Sequence, residues 1–211
     1  MQSDEMKSKK TQHHQIRIIG GQWKRTPLHV TNAEGLRPTL DRVRETVFNW
    51  LNHLIQEQGQ QWQELKCCDL FAGSGALGFE AASRGAHSVL MVELLAAAFK
   101  QLEQTKEKLR AEQIHLQRGD ALVIARHLVE RKEQFHLIFL DPPFHLDLLP
   151  KLLALCTSLL HPQGYIYVES EQALPLNATT PLEDGPDWCQ SWNIVRQDKA
   201  GNVHYHLLQH R

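Results

Sequence analysis

Two short stretches hold the residue types best suited to chemistry: Asp69-Leu-Phe-Ala-Gly-Ser-Gly-Ala-Leu-Gly-Phe-Glu80 and Phe139-Leu-Asp-Pro-Pro-Phe144. The first contains Gly73-x-Gly75-x-x-Gly78, the spacing of a tight loop that joins a strand to a helix beneath a nucleotide. The glycines alone leave two occupants open, a dinucleotide used for hydride transfer or S-adenosylmethionine used for methyl transfer. Asp69 weighs between them. A pyrophosphate resting on such a loop and its helix N-terminus is an anion, and a carboxylate four residues before Gly73 repels it. S-adenosylmethionine carries no phosphate, and its ammonium can pair with Asp69 while its carboxylate meets backbone N–H groups. Glu93, closing the next apolar run, is placed to accept from two ribose hydroxyls and suits either cofactor. Asp120, closing the third run, can accept from an adenine amino group. Phe71 in the loop and Ala121 beside Asp120 complete the expected cofactor set.

In the second stretch an acid ends an apolar run and two prolines follow, which fix φ and remove two backbone donors. An exocyclic amine on a base has two N–H bonds and a lone pair drawn into the ring. Hydrogen bonds from those N–H groups to the Asp141 carboxylate and the Pro142 carbonyl localise that pair and aim it at a methyl carbon. Such chemistry is positioning and electrostatics, which suffices when the electrophile is already activated. Pro143 stiffens the turn, and Phe144 can stack on the face of the base.

These residues need strand ends to present them. From Lys66 onward short apolar runs alternate with helical segments. The strand candidates are 67–71, 88–93, 114–118, 136–140 and 165–169, with helices near 76–84, 96–111, 121–131 and 147–160. This alternation predicts a mainly parallel sheet covered on both faces, with ligands bound beyond the carboxyl ends of its strands. Asp69, Glu93, Asp120 and Asp141 fall at four such ends, although each could instead cap the helix that follows. Two β-prone runs about Lys199-Ala200-Gly201-Asn202 predict an antiparallel hairpin at the sheet edge. Upstream, residues 1–14 read as a flexible polar tail and residues 15–35 as a β-hairpin turning at Gly20-Gly21. A helix is expected to follow Thr39 as N-cap, with Val43, Val47, Trp50, Leu51, Leu54 and Ile55 inward and Arg42 and Arg44 largely off that face. Residues 36–211 are expected to form the catalytic domain.

A chain of 211 residues suits one α/β domain with a small appendage. Net charge is −1, so overall charge does not advertise nucleic-acid binding, but its distribution does. Residues 1–50 hold nine Lys/Arg against five acids, and Arg17, Lys24, Arg25, Arg37, Arg42 and Arg44 cluster in the hairpin and first helix as candidate phosphate contacts. Cys67 and Cys68 are adjacent on a strand and point to opposite faces, so they form neither a zinc clamp nor an easy disulfide. The thirteen histidines are scattered without a ligand set, and no metal is expected. The start MQSDEMKSKK has no apolar signal core, and no stretch is long enough to span a bilayer, so a cytoplasmic protein is expected.

DPPF matches the (D/N/S)PP(Y/F) motif of methyltransferases acting on exocyclic amines. Together RIIGGQWKRTPLHV, GLRPTLDRVRETVFNWL, DLFAGSGALGFEAASRGA, IFLDPPF and YIYVESE resemble the RsmD family, bacterial methyltransferases that form N2-methylguanosine in small-subunit (16S) ribosomal RNA. The resemblance runs from about Arg17 to the C-terminal hairpin. It implies an α/β, Rossmann-like, seven-stranded S-adenosylmethionine-dependent methyltransferase fold with an N-terminal β-hairpin extension. It further implies one guanine as target and an assembled 30S particle as substrate; a monomer is expected as the working unit. By matched position Asp69, Gly73, Gly75 and Glu93 bind cofactor with Asp120 near the adenine, Asp141, Pro142 and Phe144 form the amine pocket, and the basic residues face RNA. One departure stands out: family members often carry an Asp two residues after the ribose-binding Glu, where this chain has Leu95, leaving Glu93 as the main acidic ribose contact. Alternatives are an N6-adenine methyltransferase on DNA or RNA, since the same motif serves both amines, and a cofactor-binding ribosome-assembly factor without essential catalysis. A dehydrogenase is the most distant.

Overall fold

In the computed structural model, which describes residues 16–29, 41–143, 148–176 and 187–211, apolar alternation and helical periodicity resolve into one sheet with helices on both faces. A short hairpin comes first, β1 (Ile16–Arg17) and β2 (Pro27–Leu28), followed by α1 (Asp41–Glu57). The alternating part then runs β3 (Lys66–Asp69), α2 (Ala76–Ser83), β4 (Ser88–Glu93), α3 (Ala96–Leu109), β5 (Ile114–Arg118), α4 (Ala121–Glu130), β6 (Phe135–Leu140), α5 (Leu148–Leu159) and β7 (Leu160–Ser170). The chain closes with β8 (Trp192–Ala200) and β9 (Val203–His210). The seven-stranded sheet has the order β5-β4-β3-β6-β7-β9-β8. Its first five strands are parallel, and β9 pairs antiparallel with both β7 and β8. Strand order reverses between β3 and β6, which places the ligand crevice at their carboxyl ends.

The adjacent cysteines report both faces. Cys67 lies in the cluster that includes Val47, Phe79 and Leu102, and Cys68 in the cluster that includes Ile124, Leu152 and Leu159. All four cysteines are buried and free, and burial pushes the Cys156 thiol up to about 12.

Three boundaries differ from the sequence expectation. β3 ends at Asp69 rather than residue 71, because Ala72 N–H has already turned to the Val92 carbonyl across the sheet. β7 begins five residues earlier than residue 165, through His161-Pro162-Gln163-Gly164, where a register shift between Phe135 and Leu137 absorbs the proline. The C-terminal turn is only Gly201-Asn202, with Ala200 paired to Val203. The expected tail 1–14 and the expected cap Thr39 lie outside the described residues.

The hairpin is locked to α2. Glu80 is fully buried, and its carboxylate accepts Ile19 N–H at 2.6 Å and Gly20 N–H at 2.9 Å. Arg84 pairs with the same carboxylate at 2.8 Å. Ser83 Oγ donates to the Gly20 carbonyl at 2.6 Å and accepts from Trp23 N–H at 2.9 Å, while Gln22 N–H donates to the Ser83 carbonyl. A Cβ on Gly21 would stand 1.8 Å from that carbonyl oxygen, so only glycine permits this approach. Ile16, Ile18 and Leu28 belong to the same buried cluster as Val47 and Phe48 of α1.

Candidate active site

The loop after β3 is held from below and from the side by the two acids that precede and follow it. Asp69 is buried at the end of β3, and its Oδ2 accepts Gly78 N–H in the first turns of α2 at 3.1 Å. Its Oδ1 is buried with no hydrogen-bond partner among the described residues. Burial raises the Asp69 carboxyl from 3.8 to about 7, against the pull of the Gly78 and Phe71 N–H groups. Gly73 and Gly75 have φ of 52° and 80°, and a Cβ on Gly75 would stand 2.4 Å from the Phe79 ring. A side chain there would collide with Phe79 and Leu102 and push the loop off the core.

Glu93 fastens the other side. Its Oε2 accepts Gly73 N–H at 2.8 Å and its Oε1 accepts Leu95 N–H at 2.7 Å. A carboxylate offers about four lone-pair directions, so two remain for further donors. The Leu95 position thus contributes its backbone rather than a second carboxylate. Gly119 N–H donates to the Glu93 carbonyl, which brings the end of β5 alongside. Asp120 there is the N-cap of α4, accepting Val123 N–H at 3.0 Å through Oδ1, so the capping alternative holds for this residue. Ala121 is buried in the first turn of α4, and Phe71 packs half-buried on the face of the sheet that carries α4 and α5.

Sequence reasoning missed Leu94 and Val123 at this edge and read Leu95 only as an absent carboxylate. Leu94, Leu95 and Val123 are large apolar groups left exposed around Glu93 and Asp120. An apolar pair directly after a strand-ending acid, and another in the first turn beyond a capping acid, was the available signal.

Asp141, Pro142 and Pro143 follow β6 directly; Asp141 is half-exposed, Pro142 buried and Pro143 exposed. The Leu70 N–H donates to the Phe139 carbonyl, so the base of the glycine loop and the DPP turn leave neighbouring strands side by side. Phe144 lies outside the described residues.

The basic residues divide. Arg17, Lys24, Arg25 and Arg42 are exposed, with Arg17 paired to Asp41 at 3.2 Å. Arg37 lies outside the described residues. Arg44, expected off the apolar face, is fully buried and is not a surface phosphate contact. Its guanidinium donates to the Arg17 carbonyl at 2.9 Å and to Asp41 Oδ1 at 2.6 Å, tying the hairpin to α1. Helical periodicity could not show this, because β1 is what covers that side of α1. Lys24 and Arg25 sit at the carboxyl end of α2, about 12 Å along an eight-residue helix from the glycine loop.

A sheet of this order, with a glycine loop braced by two strand-end acids, defines the class: the Rossmann-like methyltransferases. A methyltransferase of Agrobacterium tumefaciens described as S-adenosylmethionine-dependent shares this fold at 15% identity, TM-score 0.57, covering 83% of this chain and 63% of that one. The family follows from closer matches. Residues 16–209 match the family described as conserved hypothetical protein 95, and the chain belongs to that family, the RsmD family. Among relatives, "Ribosomal RNA small subunit methyltransferase D" of Haemophilus influenzae is 38% identical over 199 residues, covering 92% of this chain and 94% of that protein. Among solved structures, the "Putative methyltransferase yhhF" of Escherichia coli is 36% identical with TM-score 0.74, covering 93% and 98%.

Proposed function

We propose that this protein transfers a methyl group from S-adenosylmethionine to the exocyclic N2 of one guanine in 16S ribosomal RNA, within an assembled 30S particle. The observation that carries the reading is the DPP turn leaving β6 beside the braced glycine loop of β3. Relatives named as small-subunit ribosomal RNA methyltransferases support RNA as the acceptor. Asp69, Phe71, Gly73, Gly75 and Glu93, with Asp120 and Ala121 at the adenine end, are the residues to hold the cofactor. The unpartnered Asp69 Oδ1 suits its ammonium, and the positive φ of Gly73 and Gly75 sets the tight turn over which the cofactor would lie. Leu94, Leu95 and Val123 suit the faces of its adenine. When bound, the cofactor supplies a methyl group already activated on a sulfonium sulfur.

The protein's own work is at the amine. Asp141 and the Pro142 carbonyl accept its two N–H bonds, and the Asp141 carboxylate takes up the proton the amine sheds as its new bond forms. The base must leave its stack to reach this turn, and Phe144 stacks on it. Arg17, Lys24, Arg25, Arg37 and Arg42 face RNA phosphates. Arg25 supports this assignment: it holds φ of 70° in a turn where glycine would be easier.

Asp141→Ala is the test. Methyl incorporation into small subunits from a strain lacking the protein should fall by roughly 10²–10⁴-fold, with cofactor affinity unchanged by calorimetry. Turnover near wild type would overturn the mechanism. Nucleoside analysis of the wild-type product separates N2-methylguanosine from N6-methyladenosine.

A further inference from the structure

The carboxyl ends of β6 and β7 carry a second acid that the amine chemistry leaves unused. The two strands pair in parallel with Phe139 opposite Tyr167 and Leu140 opposite Val168. The next residues, Asp141 and Glu169, therefore hold neighbouring positions at the mouth of the crevice. Side-chain alternation places Tyr167 and Glu169 on one face of β7, the face where Tyr167 meets Phe139 edge-on with ring centroids 6.3 Å apart. The Tyr167 hydroxyl donates to Glu169 Oε1 at 2.8 Å, and both residues are buried. Burial first, then the Glu169 charge and hydrogen bond, then the Asp141 charge hold that phenol well above its ordinary pKa. The hydroxyl stays a donor, and it feels both carboxylates.

Guanine presents a further donor beside its amine, the ring N1–H. Adenine and 2,6-diaminopurine present a lone pair at N1. With Asp141 and Pro142 engaged on the amine, an acceptor for N1–H has to stand next to Asp141 at the same crevice.

Resting on the guanine-N2 reading above, we infer that Glu169 is a specificity-determining residue: its carboxylate accepts the guanine N1–H, and Tyr167 is the positioning residue that sets its orientation. A base with a lone pair at N1 meets a carboxylate there and is rejected, although its 2-amino group could still reach Asp141.

The test uses the full-length protein and small subunits assembled with RNA that carries either guanine or 2,6-diaminopurine at the position the wild type methylates. Both bases have the 2-amino group. The two substrates compete in one reaction, so the product ratio reads their relative kcat/KM independently of the fraction of active enzyme. Wild type should favour guanine by at least about tenfold, the discrimination one good base-edge contact supplies. In Glu169→Gln the ratio should fall about tenfold, because the amide can turn an N–H toward the N1 lone pair. Tyr167→Phe should move the ratio the same way by less, and it serves if Glu169→Gln does not fold. Equal slowing on both substrates at an unchanged ratio would assign Glu169 to structure alone and overturn the inference. Absence of N2-methylguanosine from the wild-type reaction would instead overturn the underlying reading, and this inference with it.

Discussion

Asp69 shows how much chemistry one side chain carries when its surroundings are fixed. Its carboxyl is raised from 3.8 to about 7 by burial, while one oxygen is spent on Gly78 N–H and the other has no partner among the described residues. A raised acid stabilises the fold fully below its unfolded pKa, and that stability is lost as pH rises through the folded one. The protein without cofactor should therefore lose up to about 1.4 kcal/mol per pH unit from this group as pH rises from about 4 to 7. A cationic ligand group reverses the preference by favouring the carboxylate. Cofactor binding near pH 6.5 should accordingly release a proton, read by calorimetry in buffers of differing ionisation enthalpy, and Asp69→Asn should abolish the release. The strand-end positions of Asp69 and Asp141 were legible in sequence because immediate neighbours, the glycines and the prolines, mark the turns there. Glu80 was not, because the backbone N–H groups it serves belong to Ile19 and Gly20, about sixty residues upstream. Arg44 misled for the same reason.

Among elements, those that differ from expectation do so where a long-range partner intervenes. β4 and β5 match the sequence reading at both ends, β4 as an apolar run and β5 as a short alternation of Ile114 and Leu116 with polar residues. β7 was truncated by its Pro162 and Gly164, which ordinarily break strands. Here the glycine is what lets the strand pass: a Cβ would stand 2.8 Å from the His136 carbonyl oxygen. Gly21 and Gly201 make a matched test of such approaches. Both have positive φ, at 73° and 61°, but a Cβ on Gly201 meets nothing within 4 Å. Gly201→Ala should cost only the backbone penalty of about 1 kcal/mol. Gly21→Ala must also push the hairpin off Ser83, and should cost at least about 3 kcal/mol, lowering Tm by roughly 6–12 °C in thermal unfolding.

On the scale of the whole molecule, the proposed RNA binding by a chain with net charge −1 would depend on the placement of its cations rather than their sum. Lys24 and Arg25 lie at one end of α2 and the glycine loop at the other, so under the proposed function they would supply affinity and salt dependence rather than chemistry. Lys24→Ala and Arg25→Gly should each flatten the plot of log affinity for small subunits against log salt by about one unit of slope. Neither should alter cofactor affinity. Arg44→Ala should behave differently, appearing as lower Tm with the salt slope unchanged, because its guanidinium joins β1 to α1. No helix among the described residues is long and apolar enough to cross a membrane.

The grip of α2 on the hairpin also bears on portability. A chain beginning after residue 30 would not be a self-sufficient methyltransferase core. It would hold a buried Glu80 carboxylate stripped of its two backbone donors, on the helix that starts at the glycine loop. Transplanting the hairpin onto another enzyme of this fold would in turn require the receptor sequence Glu80-x-x-Ser83-Arg84 on the recipient's corresponding helix. The hairpin and that helix are one transferable unit.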